Sequence, residues 1–268
     1  MVKTTCDVQS VFPQVEPCMF DAYLHEGKPR DGVIVCPGGG YHFVSPREAE
    51  PLALMFYEAG YNAYVLTYAT ADRFPELKYP TQLRQAAAAV LAVRGDKKRF
   101  ASTGKVFVCG CSAGGHCAAS VALLYHRPCV TEFFGIAKDA ARPDGAILCY
   151  PVITSGGFTH SGSMANLLGA DASTEGRKEQ SLELFVSFES PPAFIWHTAD
   201  DEAVRVQNAL LLASAYAQQS VPFALHVFRK GVHGLSLCDE STWEGDPAFI
   251  NKDAAQWKKL CIGWLKSL

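Results

Sequence analysis

The sequence predicts an α/β fold of the doubly wound kind, with a mostly parallel central sheet flanked by helices. Short apolar runs alternate along the chain with longer segments of helical periodicity, and such alternation produces parallel strands joined by right-handed helical crossovers. The apolar runs are continuous, which is typical of strands buried on both faces. Because 268 residues fit one α/β domain and no linker interrupts the pattern, we expect a single domain over residues 1–268.

Local signals define the elements, beginning with a strand at residues 33–36 that Pro37 and three glycines cut off. Residues 46–59 then show a helical pattern that ends at Gly60, because glycine commonly occupies the position after a helix. A second helix over residues 80–94 has a proline in its first turn. The other strands are predicted at residues 61–68, 105–109, 145–150, 193–197 and 223–228, and the other helices at residues 113–126, 206–219 and 247–265.

Two segments depart from this regular pattern. The segment before Val33 is short for two full edge strands, so we expect the sheet to lack one of them. Residues 154–192 form an irregular insertion between two core strands, and an insertion of this size is typical of a cap over a functional site. The alternative is a solvent-exposed excursion.

The charge balance argues against two classes of partner. The chain carries 24 lysine and arginine residues against 27 acidic residues, a net charge of −3 without a basic block. We therefore expect no binding to nucleic acid or to an anionic membrane surface. No stretch reaches the roughly 18 apolar residues that a membrane span needs. Assembly into a homo-oligomer stays open.

Ten cysteines are the unusual feature of the composition. Cys36, Cys109 and Cys149 end apolar runs, where a free thiol behaves as a small buried apolar group. The spacing of Cys109, Cys111 and Cys117 lacks the C-x2-C pairs of a zinc site. The first ten residues also lack the apolar core of a secretory signal. We therefore expect reduced cysteines, a cytoplasmic protein and no metal site.

Residues 110–114, GCSAG, match the pattern G-x-S-x-G. They follow the apolar run KVFVC and open an alanine-rich helix, and in this strand-turn-helix setting the serine hydroxyl projects at the carboxyl edge of the sheet. Ser112 is therefore the candidate nucleophile; the alternative is a turn of small residues that only packs well. Cys111 does not fit the pattern, because its flanking positions would be Cys109 and Ala113, and neither is glycine.

A serine nucleophile needs a base, and in this kind of fold the base is a histidine that comes last in the chain. His233 follows the last predicted strand, and a loop at that strand end can reach back over the serine. His233 is therefore the candidate base. His116 is expected to pack or hydrogen-bond behind the turn, and His226 lies inside a strand pattern.

The base needs in turn a carboxylate that orients it. Three acidic residues follow the strand at residues 193–197. Val204 opens the next helix three residues after Asp201, which places Asp201 in the turn and Asp200 nearer the strand end. We assign the carboxylate to Asp201. Asp200 and Glu202 stay open as alternatives, because acidic residues ahead of a helix can serve as N-terminal caps.

Acyl transfer also needs backbone N–H donors aimed at the developing oxyanion. The three glycines at residues 38–40 follow the strand at residues 33–36 and let the backbone turn its amides inward, and the amide of Ala113 supplies a second donor group. The alternative is a flexible turn. Tyr41 and His42 either line the acyl or leaving-group pocket or shield it. No phosphate-binding loop, dinucleotide motif or metal-ligand cluster competes for this site, so we expect no cofactor.

The chain resembles the α/β-hydrolase superfamily through four segments: VCPGGGYHFVSPREAEPLALMFYEAGYNAYVLTY, VCGCSAGGHCAAS, WHTADDEAVRVQNALL and GVHGL. More narrowly, it resembles small bacterial esterases grouped with acetyl xylan esterases and BD-FAE-like carbohydrate esterases, over nearly the whole chain. Two positions differ from relatives. Pro37 precedes the glycines where the hormone-sensitive-lipase-like branch has histidine, and Arg205 stands where relatives often have proline.

The resemblance implies a catalytic triad and an oxyanion hole, formed by Ser112, Asp201 and His233 and by the amides of Gly39, Gly40 and Ala113. It also implies cofactor-free ester hydrolysis on acetylated sugars or xylo-oligosaccharides. We therefore expect a serine carboxylesterase that forms an acyl-enzyme on Ser112 from a small-molecule ester with a short acyl chain. One alternative is a serine peptidase of the prolyl-oligopeptidase kind, although 268 residues leave no room for its propeller domain. The other is a catalytically silent scaffold that binds a ligand, although every catalytic position is filled.

Overall fold

A computed structural model describes all 268 residues. Its eight strands form one sheet. The strands are β1 (Val2–Asp7), β2 (Met19–Leu24), β3 (Arg30–Cys36), β4 (Asn62–Thr67), β5 (Ser102–Cys111), β6 (Gly145–Cys149), β7 (Ala193–Thr198) and β8 (Phe223–Phe228). Their order in the sheet is β1-β2-β4-β3-β5-β6-β7-β8. The strands from β3 to β8 pair in parallel, and β2 pairs antiparallel with both β1 and β4. The predicted α/β class with a mostly parallel sheet is confirmed.

The expectation that the sheet lacks an edge strand is wrong, because two strands precede β3. β1 carries the sequence VKTTCD and buries only Cys6, so it has no apolar run that would mark it as a strand. Its six residues pair with the six residues of β2. This pairing, and not burial of side chains, makes it part of the sheet.

Eight α-helices accompany the strands: α1 (Glu50–Glu58), α2 (Thr81–Gly95), α3 (Ala113–Leu124), α4 (Pro128–Phe134), α5 (Ser161–Leu168), α6 (Thr174–Lys178), α7 (Gln207–Gln218) and α8 (Trp257–Leu265). The predicted helix at residues 46–59 is interrupted at Ala49, where φ is −98° and ψ is −102°, and its first part is a 3-10 turn at Pro46–Glu48. Of the helix predicted at residues 247–265, only the part in α8 is an α-helix. Two 3-10 turns, Pro247–Phe249 and Ala254–Gln256, precede it. The insertion at residues 154–192 contains α5, α6 and a 3-10 turn.

Apolar side chains form a core on each face of the sheet. Along β3, Ile34 belongs to one cluster and Val33 and Val35 to the other, as expected when successive side chains point to opposite faces. Helices α2, α3 and α7 cover the first cluster, and α1 and α8 cover the second. The central strands are therefore covered on both faces, which leaves the ends of these strands as the place for functional groups.

All ten cysteines are free, and Cys129 alone is not fully buried. The prediction of free, mostly buried thiols is confirmed. None of the helices combines the length and the apolar character that crossing a membrane requires.

Candidate active site

Ser112 occupies the tight turn between β5 and α3, with φ 55° and ψ −121°. A non-glycine residue rarely adopts this conformation, which costs on the order of 1–3 kcal/mol. The turn is so tight that a Cβ on Gly114 would overlap the carbonyl oxygens of Cys36 and Pro37, and a Cβ on Gly110 would overlap the carbonyl of Gly114. The two glycines of the motif are therefore required by sterics.

His233 and Asp201 meet the serine at the carboxyl edge of the sheet. Ser112 follows β5, Asp201 follows β7, and His233 lies in the loop after β8. The hydroxyl of Ser112 donates to Nε2 of His233 at 2.7 Å, and Nδ1 of His233 donates to Oδ2 of Asp201 at 2.6 Å. The three side chains thus form a continuous hydrogen-bonded chain, in which a proton can pass from the serine to the imidazole.

The carboxylate of Asp201 is 1% exposed and is held from both sides. Its Oδ1 accepts from the backbone N–H groups of Ala203 and Val204 at 3.0 and 2.9 Å. Burial opposes ionisation, but the neighbouring His197 and the hydrogen bond from His233 outweigh it and hold the pKa of Asp201 well below its usual range. The group is therefore ionised and can stabilise an imidazolium at His233.

The two neighbouring carboxylates that the sequence left as alternatives do not bond to His233. Asp200 is exposed and accepts from the backbone N–H of Gly231 at 2.7 Å. Glu202 is also exposed. Among the three acids, Asp201 is the one that hydrogen-bonds to the imidazole.

The glycine loop after β3 presents backbone amides beside Ser112. Gly39 and Gly40 have φ values of 117° and 66°, and their N–H groups donate to no acceptor in the protein. The N–H of Gly38, in contrast, is occupied by Oε2 of Glu48 at 2.9 Å. Ala113 is the first residue of α3, where a helical N–H has no partner within the helix. Gly39, Gly40 and Ala113 thus have backbone N–H groups without an acceptor in the protein, as donors to an oxyanion must.

The structure distinguishes between the two alternatives for Tyr41, which were lining a pocket and shielding it. Tyr41 is 1% exposed, and its hydroxyl donates to Nδ1 of His116 at 2.9 Å. Its side chain therefore packs under the glycine loop, which favours the shielding alternative. His42 is exposed, and its side chain forms no hydrogen bond to Ser112, His233 or Asp201.

His116 lies behind the turn, as expected. Its Nε2 donates to the carbonyl of Gln180 at 3.1 Å, which leaves Nδ1 to accept from Tyr41. Burial lowers the pKa of His116 to about 4, so the ring is neutral near pH 7. It ties α3 to the insertion and does not bond to the hydroxyl of Ser112.

The insertion contacts the glycine loop and is not a free excursion. The side-chain amide of Asn166, on α5, donates to the carbonyl of Gly40 at 2.9 Å. His160 caps the start of α5, and its Nδ1 accepts from the hydroxyl of Ser163 at 2.8 Å. Burial and the nearby His233 lower the pKa of His160. Helix α5 and its cap therefore lie close to both the glycine loop and the imidazole of His233.

Sequence reasoning missed three buried residues around the site. His197 donates to the carbonyl of Val204 at 2.8 Å and lies 3.4 Å from Asp201. Glu48 and Tyr150 hydrogen-bond to each other beside the glycine loop at 2.7 Å. No sequence motif marks these residues. His197 and Tyr150 lie at the ends of β7 and β6, and this position at the carboxyl edge of the sheet is the one signal that could have indicated them.

Comparisons with known proteins agree with this fold. A family model described as alpha/beta hydrolase fold matches residues 33–237. Endo-1,4-beta-xylanase B of Butyrivibrio fibrisolvens is 37% identical over 231 residues, which make up 84% of this chain but 35% of that protein, so the chain spans a minor part of this relative's length.

Two solved structures match nearly the whole chain. The acetyl ester-xyloside bifunctional hydrolase from Caldicellulosiruptor lactoaceticus is 33% identical, with a TM-score of 0.84 over 98% of this chain and 96% of that chain. The carboxylesterase Cest-2923 from Lactobacillus plantarum WCFS1 is 27% identical, with a TM-score of 0.85 over 100% of this chain and 98% of that chain.

Proposed function

Since the chain belongs to the alpha/beta hydrolase family, we propose that it is an ester hydrolase, and specifically a serine carboxylesterase that acts through an acyl-enzyme on Ser112. The hydrogen-bonded chain from Ser112 through His233 to Asp201 is the observation that carries this proposal. Its distances of 2.7 and 2.6 Å are those of a nucleophile, a base and an orienting carboxylate ready for proton transfer.

The proposed reaction has two halves. Nε2 of His233 takes the proton of Ser112 as Oγ attacks the ester carbonyl carbon, and the N–H groups of Gly39, Gly40 and Ala113 stabilise the oxyanion. His233 then gives its proton to the leaving alcohol, which leaves the acyl group on Ser112. Water, deprotonated by His233, attacks this acyl group. The second oxyanion then collapses, His233 returns the proton to Oγ of Ser112, and the carboxylic acid is released.

The proposed substrates are short-chain esters, above all acetyl esters of sugars or xylo-oligosaccharides. The names of two relatives support this class, since one is an acetyl ester-xyloside hydrolase and the other a xylanase. The insertion supports it as well, because the hydrogen bond from Asn166 to the carbonyl of Gly40 places α5 beside the glycine loop, where it can limit the space for the acyl group. Ten free cysteines support a reducing, cytoplasmic setting.

Substitution of the serine tests the proposal. We expect Ser112→Ala to abolish hydrolysis of 4-nitrophenyl acetate and covalent labelling by a fluorophosphonate. Ser120→Ala, at a buried serine on the helix that follows Ser112, should retain both. Full activity of Ser112→Ala would contradict the proposed nucleophile.

A substrate panel tests the ester class. Acetate release from acetylated xylo-oligosaccharides is compared with hydrolysis of 4-nitrophenyl acetate, butyrate and octanoate and of a proline-linked peptide amide. We expect acetyl esters to be the best substrates. A steep preference for octanoate would contradict the sugar-acetate class, and cleavage of the amide would favour the peptidase alternative.

A further inference from the structure

Glu48 is a buried carboxylate whose position the proposed reaction does not explain. It ends the 3-10 turn that follows the glycine loop, and it is 4% exposed. No lysine, arginine or histidine nitrogen lies within 4.0 Å of it. Burying an unpaired charge is costly unless hydrogen bonds replace its hydration, so its hydrogen bonds must hold it in place.

The two carboxylate oxygens of Glu48 accept from two different parts of the site. Oε2 accepts from the backbone N–H of Gly38 at 2.9 Å. Oε1 accepts from the hydroxyl of Tyr150 at 2.7 Å. The same hydroxyl accepts from the backbone N–H of Ser236 at 2.9 Å. Because a tyrosine has one hydroxyl proton and its oxygen is engaged by Ser236, that proton points to Glu48.

Tyr150 connects this carboxylate to the base. It directly follows β6 with φ 36°, and its ring stands edge-on to the imidazole of His233, with centroids 5.3 Å apart and an angle of 76°. Ser236 is three residues after His233 in the same loop. The hydrogen bonds therefore run from the histidine loop through Tyr150 to Glu48, and from there to the glycine loop.

Arg47 adds a second connection between the same two loops. Its Nη2 donates to the carbonyl of Gly234 at 2.8 Å, and its own carbonyl accepts from the hydroxyl of Ser236 at 2.7 Å. The turn at Pro46–Glu48 is thus bonded directly to Gly234 and to Ser236 in the histidine loop.

We propose that Glu48 is a positioning residue of the esterase, holding the glycine loop and the histidine loop in fixed relation. By occupying the N–H of Gly38, it orients the loop so that the N–H groups of Gly39 and Gly40 face the developing oxyanion. Through Tyr150 it ties this orientation to the loop that carries His233. Preorganised donors of this kind stabilise the transition state more than the bound substrate. The inference rests on the proposed function, because it assigns Glu48 a part in the same reaction.

Three variants separate this role from a structural one. Glu48→Ala loses both hydrogen bonds, and we expect kcat to fall about 100-fold with KM changed less than about threefold, the size of effect seen when an oxyanion donor is misplaced. Glu48→Gln can still accept from Gly38 but offers an N–H to Tyr150, so about a tenfold fall is expected. Tyr150→Phe should resemble Glu48→Gln. Glu50→Gln is the matched control, since Glu50 is on the same segment and bonds instead to Lys3 and Tyr23.

The decisive readout is affinity for a transition-state analogue such as a trifluoromethyl ketone. The Ki of this analogue should rise in proportion to the fall in kcat/KM across the variants. The kcat of each variant is calculated per active serine, titrated with a fluorophosphonate. The inference is overturned by a folded Glu48→Ala enzyme whose kcat stays within about twofold of the parent, or by one whose analogue affinity is unchanged.

If Glu48→Ala does not fold, Glu48→Gln and Tyr150→Phe decide by the same two criteria. Ser112→Ala is measured in parallel. An active Ser112→Ala enzyme overturns the proposed function together with this inference, whereas an inactive one alongside an unaffected Glu48 series overturns the inference alone.

Discussion

Replacement of Asp201 by asparagine should convert His233 into the wrong tautomer. Oδ1 of Asp201 accepts from the backbone N–H groups of Ala203 and Val204. An asparagine must keep its carbonyl oxygen on that side, because its NH2 group would face two donors there. The NH2 group then faces Nδ1 of His233, which has to accept. The imidazole proton moves to Nε2, where it points at Ser112 and prevents the ring from taking the serine proton.

The expected loss follows from this change of proton position. The variant loses both a competent base and the negative charge that stabilises the imidazolium. In serine–histidine–aspartate triads the same substitution lowers kcat by about 10⁴, or about 5 kcal/mol of transition-state stabilisation. The shape of the side chain is unchanged and Asp201 is 1% exposed, so the fold should persist while activity is lost.

Hydrolysis of 4-nitrophenyl acetate at pH 7 measures this effect, with circular dichroism as the check on folding. Asp200→Asn and Glu202→Gln are the controls, because both side chains are exposed and neither bonds to His233. We expect the controls to keep activity within about threefold, as is usual for surface substitutions. An Asp201→Asn enzyme with more than about a tenth of the parent kcat would refute the tautomer argument, and so would an equal loss in Asp200→Asn.

Three further predictions concern stability and thiol access. The folded pKa of His116 is about 4 against 6.5 for the free side chain, so the unfolded chain binds its proton first as pH falls. Between pH 7 and pH 5, protonation of His116 in the unfolded chain should lower the free energy of unfolding, measured in urea, by about 2 kcal/mol, and His116→Gln should not show this part of the decrease. Equal pH dependence in the two proteins would contradict this. Gly114→Ala should destabilise the fold by about 3 kcal/mol or more through overlap with backbone carbonyls. Gly263→Ala, in open space on α8, should stabilise it by about 0.5–1 kcal/mol, and thermal melts of both variants test the contrast. Ellman's reagent should find about one reactive thiol in the native protein, Cys129, and ten after denaturation; rapid reaction of several native thiols would contradict the buried assignment.

The parallel part of the fold was predictable because each strand from β3 to β8 carries an apolar run that ends in a loop. β1 was missed because it is held by backbone pairing at an edge and buries only Cys6. The start of the helix predicted at residues 46–59 was misjudged because Ala49 breaks it, and the tight packing of Glu48 against the glycine loop is a tertiary effect.

The candidate site also contains residues that the sequence predicts and one, Glu48, that it does not. Ser112, Asp201 and His233 each follow a recognisable strand, so their meeting at one sheet edge could be expected from topology. Glu48 resembles any charged surface residue in the sequence. Its burial depends on Gly38, 10 residues away, and on Tyr150, 102 residues away, and no local pattern reports a contact across that separation.

Helix α3, which begins immediately after Ser112, has no exposed residue along its length. A segment can detach from a native protein by itself only when few buried contacts hold it, and α3 offers no such starting point. The serine can therefore leave its place only when the sheet and its covering helices separate. Heat or denaturant should therefore displace Ser112 only together with the sheet, so that the position of the nucleophile is lost in the global unfolding transition and not before it.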